Sequence, residues 1–88
     1  MNRKERVERL LNQAFSPKAL EVMDESHKHA GHAGARPEGE THYHIVMTSD
    51  KLEGLSRVQQ HQKVYAALDS ELQGDNAIHA LSMALSVK

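Results

Sequence analysis

Apolar residues recur along this chain with two different periods, and the switches between them predict its elements. In residues 2–14, Val7, Leu10, Leu11 and Ala14 fall at i, i+3, i+4 and i+7, the spacing of one buried helix face, while Arg3, Lys4, Arg6 and Arg9 lie largely off it. Ser16-Pro17 predicts the stop, because the proline ring disfavours helical geometry in the residue before it. Residues 19–26 then alternate as a strand does, with Leu20 and Val22 on one face. Residues 40–48 alternate again, with Tyr43, Ile45 and Met47 on one side and His42, His44 and Val46 on the other. After a short turn or helical turn over 49–55, residues 57–72 form the clearest helical pattern. Val58, His61, Val64, Tyr65, Leu68 and Leu72 make its stripe, and Gly74 is its expected C-cap. Residues 77–87 read as a last strand, with Leu81, Met83, Leu85 and Val87 on one face and Ala80, Ser82, Ala84 and Ser86 on the other.

The order is therefore α-β-β-(short α)-α-β. A three-stranded mixed sheet with helices covering one face buries these stripes, giving a two-layer α/β (α+β) fold. The first two strands are close enough in sequence for a hairpin, although the connection over 27–39 is longer than the usual ~2–5 residues. A right-handed crossover through the long helix would lay the last strand parallel to one hairpin strand. Eighty-eight residues suit a single domain over 1–88. A chain this short buries only about 60–65% of its unfolded surface.

Composition narrows the chemistry. With no cysteine, the chain has neither a disulfide nor a thiolate metal ligand. The charged, amphipathic start has no apolar signal-peptide core, and no run approaches the ~18 apolar residues of a membrane span. A soluble cytoplasmic protein is expected. The formal charge is −1 and the pI about 6.6, far from the strongly basic balance of many nucleic-acid-binding domains.

Seven histidines are the main chemical asset, and five of them lie between His27 and His44. Imidazole ligates metals and titrates near neutral pH; protonating all seven would carry the charge from −1 to +6. His61, on the stripe of the long helix, reads as a half-buried, hydrogen-bonded side chain. His42 and His44 share one strand face and either chelate a metal or line a solvated surface. His27, His29 and His32 straddle a strand end and a loop, where ligation and simple solvation are both open. His79 begins the core face of the last strand, near its rim. No His-Glu-x-x-His motif accompanies them, which argues against a hydrolytic metalloenzyme.

Set in order, these segments resemble the BolA family. The stretches that carry the likeness are Leu20-Glu-Val-Met-Asp-Glu-Ser26, His29, Gly39-Glu-Thr-His-Tyr43, Val46-Met-Thr-Ser-Asp-Lys-Leu-Glu-Gly54, Arg57-Val-Gln-Gln-His-Gln-Lys-Val-Tyr65 and Ile78-His-Ala-Leu81. The resemblance implies an α-β-β-α-α-β fold related to the type II KH domain. It also implies a non-enzymatic adaptor that is monomeric alone, does not bind membranes, and partners a monothiol glutaredoxin around a shared [2Fe–2S] cluster. The iron ligands implied are His79 and His29, with His27 and His32 as alternates, while glutathione and a glutaredoxin cysteine supply thiolates to the other iron. No cluster is expected on the isolated chain. Some BolA-like proteins regulate transcription, so DNA binding, weak and through Arg57 and Lys63, is the second reading. A Gly-x-x-Gly clamp is missing, since the matching stretch is Gly54-Leu-Ser-Arg57.

Overall fold

A computed structural model describes residues 2–25, 42–73, 78 and 80–87. The elements are α1 (Arg3–Phe15), β1 (Ala19–Asp24), β2 (His42–Thr48), a 3₁₀ turn (Asp50–Leu52), α2 (Arg57–Ala67), α3 (Asp69–Leu72) and β3 (Ala80–Ser86). The sheet order is β1-β2-β3, with β1 antiparallel and β3 parallel to β2. The expected mixed sheet is present, with the last strand parallel to one hairpin strand.

Helix α1 starts where Asn2 accepts the Glu5 N–H while the Glu5 carboxylate accepts the Asn2 N–H, a reciprocal cap. It ends at Ser16, whose φ of 43° is left-handed, just before Pro17. Its buried stripe is Arg3, Val7, Leu11 and Phe15, with Leu10 packed beside it; Val7, Leu10 and Leu11 are as expected, but Ala14 is exposed and Arg3 is buried. Arginine can sit there because Glu71 meets it, with Arg3 Nε 3.0 Å from Oε1.

Helix α2 is capped by the same device, Ser56 with Gln59, and follows Gly54, whose φ of +80° lies in the left-handed region that favours glycine. The expected helix over 57–72 breaks at Leu68, before Asp69-Ser70, residue types that favour helix starts. The buried stripe also differs. Val64 and Leu68 are fully buried and Gln60 is half-buried, whereas Val58 and Tyr65 are exposed by 64% and 41%. Gln60 anchors this register by donating to the carbonyls of Leu52 and Leu55 at 3.2 and 3.3 Å.

Val7, Leu11, Phe15, Val22, Tyr43, Ile45, Met47, Leu52, Val64, Leu68 and Ile78 form one core between the helices and a single sheet face. Each buried aliphatic side chain there contributes about 1.5–3 kcal/mol of transfer free energy. Ser49 is the most deeply buried polar residue among those described. It is fully buried, and its hydroxyl donates to the Phe15 carbonyl at 2.7 Å.

Candidate functional site

The strand register brings three separated parts of the chain to one end of the sheet. Asp24 pairs with Tyr43, and the next residue, Glu25, donates its N–H to the His42 carbonyl at 2.8 Å. On the other side of β2, His42 pairs with Ala80. Glu25, His42 and Ala80 therefore occupy one row across the sheet. Residues 26–41 leave this row at Glu25 and return to it at His42, and position 79 immediately precedes Ala80. The expected ligands His27, His29, His32 and His79 lie outside the described residues, as does Gly74.

The approach to position 79 has a footing that sequence reasoning missed. Ile78 is buried, and its N–H donates to the Glu71 carbonyl at 3.0 Å. The Glu71 side chain is held in turn by Arg3 and by Arg6, whose Nε and Nη2 both lie 3.1 Å from its oxygens. Burial pushes the Glu71 carboxyl pKa up, but hydrogen bonds from Arg6 and Arg3, reinforced by their charges, outweigh it and hold the carboxyl below the usual range. The only sequence signal was an acidic residue late in an apolar helix stripe and two arginines at i and i+3 in the first helix.

The other histidines divide differently from expectation. His42 is only 7% exposed although it lies on the sheet face opposite the core, so that part of the face is not solvated as expected. His44 is half-buried, and its Nδ1 lies 2.7 Å from the Ser82 hydroxyl on β3. His61 is half-buried as expected, but has no hydrogen-bond partner among the described residues. It lines a shallow groove with Arg57, Gln60, Met83, Ala84 and Leu85. Among the described residues, no group of three or more potential metal ligands assembles.

Arg57 and Lys63 are both exposed on α2. Six residues apart, they are about 120° apart around the helix, so they do not present one continuous phosphate-binding stripe. Ser56, between Gly54 and Arg57, is occupied in capping the helix.

No helix among the described residues is long and apolar enough to cross a membrane. The profile of the BolA-like protein family matches residues 11–88. Chloroplastic BOLA1 of Arabidopsis thaliana is 39% identical over 84 residues, covering 93% of this chain and 51% of that protein, so the chain spans about half its length. The Escherichia coli protein named DNA-binding transcriptional regulator BolA is 38% identical over 80 residues, covering 91% of this chain and 70% of that one. Among solved structures, the BolA domain of SufE1 from Arabidopsis thaliana superposes with a TM-score of 0.85 at 36% identity, covering 99% of this chain and 93% of that domain. With a family match over most of its length and the same mixed three-stranded architecture, this chain belongs to the BolA family.

Proposed function

We propose that this protein is a cytoplasmic, non-enzymatic adaptor that binds a monothiol glutaredoxin and shares a [2Fe–2S] cluster with it, in cluster trafficking or iron and redox regulation. The observation that supports this most is the row Glu25–His42–Ala80, from which both ends of the His27–His29–His32 segment and the chain before Ala80 depart. That convergence makes joint use of His29 and His79 topologically reasonable. The donor chemistry agrees. A [2Fe–2S] cluster accepts two neutral imidazoles on one iron, as in Rieske centres, and takes thiolates on the other. A chain without cysteine supplies only the imidazoles, so glutaredoxin and glutathione would complete the shell.

In this reading the chain's own work is positioning. The Arg3–Glu71–Arg6 cluster holds α3, and the Glu71 carbonyl accepts the Ile78 N–H, which anchors the chain one residue before position 79. His29, carried on a connection from β1 to β2, would approach from the neighbouring strand ends. His27 and His32 are the alternates. The test is to mix the protein with cluster-loaded monothiol glutaredoxin and record visible absorption and circular dichroism. A new spectrum with one cluster per heterodimer supports the reading; an unchanged glutaredoxin spectrum contradicts it. Alone, the chain should stay colourless after treatment with iron and sulfide.

A second reading, a DNA-binding transcriptional regulator, is favoured by the similarity to the Escherichia coli relative and by the exposure of Arg57 beside the groove. Duplex binding that survives physiological salt and is lost in Arg57→Ala or Lys63→Ala would support it. Weak binding that fades as salt rises would leave only a nonspecific electrostatic attraction.

A further inference from the structure

The two edges of the sheet are built unlike one another. The β1 edge carries Glu21 and Asp24, followed by Glu25, and Lys18 stands just before it. Charges of this kind discourage edge-to-edge pairing. The β3 edge, Ala80-Leu-Ser-Met-Ala-Leu-Ser86, has no charge, no proline and no glycine. On β3, the Ser86 carbonyl accepts the Ser49 N–H, so Ser86 turns its backbone towards β2. By strand alternation Ala80, Ser82 and Ala84 do the same, and the N–H and C=O groups of Leu81, Met83 and Leu85 face outward. Among the described residues nothing pairs with these outward groups.

We infer that β3 is a self-association edge that pairs antiparallel with β3 of a second copy of this chain about a two-fold axis at Met83. The strand is self-complementary in that register. Met83 faces Met83, Leu81 faces Leu85, Ser82 faces Ala84 and Ala80 faces Ser86 of the second copy. The same register puts the outward backbone groups opposite one another, so Leu81, Met83 and Leu85 each form a doubly hydrogen-bonded pair across the axis. Leu81, Met83 and Leu85 point to the core side yet are only half-buried, so pairing covers apolar surface that the monomer leaves partly wet. The opposite side offers only Ala and Ser, which impose no steric obstacle, and the strand itself carries no charge. The shallow groove of about 340 Å³ along Met83, Ala84 and Leu85, walled by Arg57, Gln60 and His61, leaves the edge open to an incoming strand. A seven-residue strand contact is small against the ~1,200 Å² of a standard stable interface, so the pair forms reversibly with concentration. The monomer expected from the family resemblance then describes dilute solution.

Sedimentation equilibrium over a wide concentration range tests this directly. The weight-average mass of the wild type should rise from one protomer towards two, and Met83→Lys, placing two ammonium groups at the axis, should weaken association at least about tenfold. Circular dichroism checks that the variant is folded. A second measurement does not depend on Met83→Lys folding. Because the chain has no cysteine, Met83→Cys introduces a single thiol. Directly opposed residues in a doubly bonded antiparallel pair have Cα atoms about 5.5 Å apart, within disulfide reach. Under mild oxidation Met83→Cys should cross-link faster than Val58→Cys, although Val58 is the more exposed position. One protomer mass at every concentration, association untouched by Met83→Lys, or faster cross-linking at position 58 would each overturn the proposal.

Discussion

The two ends of the sheet follow opposite designs. At one end, Ser49 joins every neighbouring element: its N–H donates to Ser86, its hydroxyl donates to Phe15, and its Oγ accepts the Lys51 N–H. Lys18 N–H reaches the Thr48 carbonyl there, and the Thr48 and Ser86 hydroxyls lie 2.8 Å apart. The ends of α1, β2 and β3 and the start of β1 are thereby tied within a few residues. At the other end, the row Glu25–His42–Ala80 opens into the segments that carry four of the seven histidines. Among the described residues, the polar contacts at Ser49 gather four elements at the first end, and the second is tied to α1 through Ile78 and Glu71.

That contrast can be broken from either side. Glu71→Ala removes the carboxylate from buried Arg3 and half-exposed Arg6, and should destabilise by about 2–4 kcal/mol in chemical denaturation. In hydrogen exchange the loss should appear first at the Ile78 and Ala80 amides and leave the Ser49 amide least affected. Acid should act in the same place. Because the Glu71 carboxyl is held below its unfolded value, its contribution is present above the ordinary carboxyl range of the unfolded chain and is lost as pH falls through the lower folded value. Glu71→Gln should flatten that part of the acid-denaturation profile. A smaller effect, about 1–3 kcal/mol, is expected for Ser49→Ala, which leaves the buried Phe15 carbonyl without its donor. Here exchange should quicken at the Ser49 end instead. His44→Ala should be smallest, within about 0.5–1.5 kcal/mol, because it removes one half-exposed contact to Ser82.

Much of this architecture was legible in the chain, and the departures share one cause. Alternation placed Tyr43, Ile45 and Met47 on the core face, Ser16-Pro17 marked the end of α1, and the crossover rule gave β3 its direction. Each helical stripe was read only in part: Val7, Leu10, Leu11, Val64 and Leu68 lie against the core as expected, Ala14, Val58 and Tyr65 do not, and in each helix the inward face also holds a polar residue satisfied by a distant partner. Arg3 is met by Glu71, 68 residues away, and Gln60 by the carbonyls of Leu52 and Leu55. Hydrophobic periodicity cannot register such pairs, since they are decided by tertiary contact. His42 was misread for a related reason, as strand alternation assigns a face but not what shields it. For the candidate site, residue type and family resemblance named the histidines, while the hold of the Glu71 carbonyl on Ile78 emerged only from the fold.

The central claim is that the open end contributes imidazoles to a cluster completed by the partner. The decisive measurement is the visible circular dichroism of the glutaredoxin complex formed with wild type, His29→Ala, His79→Ala and the double variant. Each single variant should alter the spectrum, with His79→Ala the more severe, because His27 or His32 can replace His29. The double variant should lose the heterodimer signature altogether. A wild-type spectrum in the double variant, with normal glutaredoxin binding, would contradict the account.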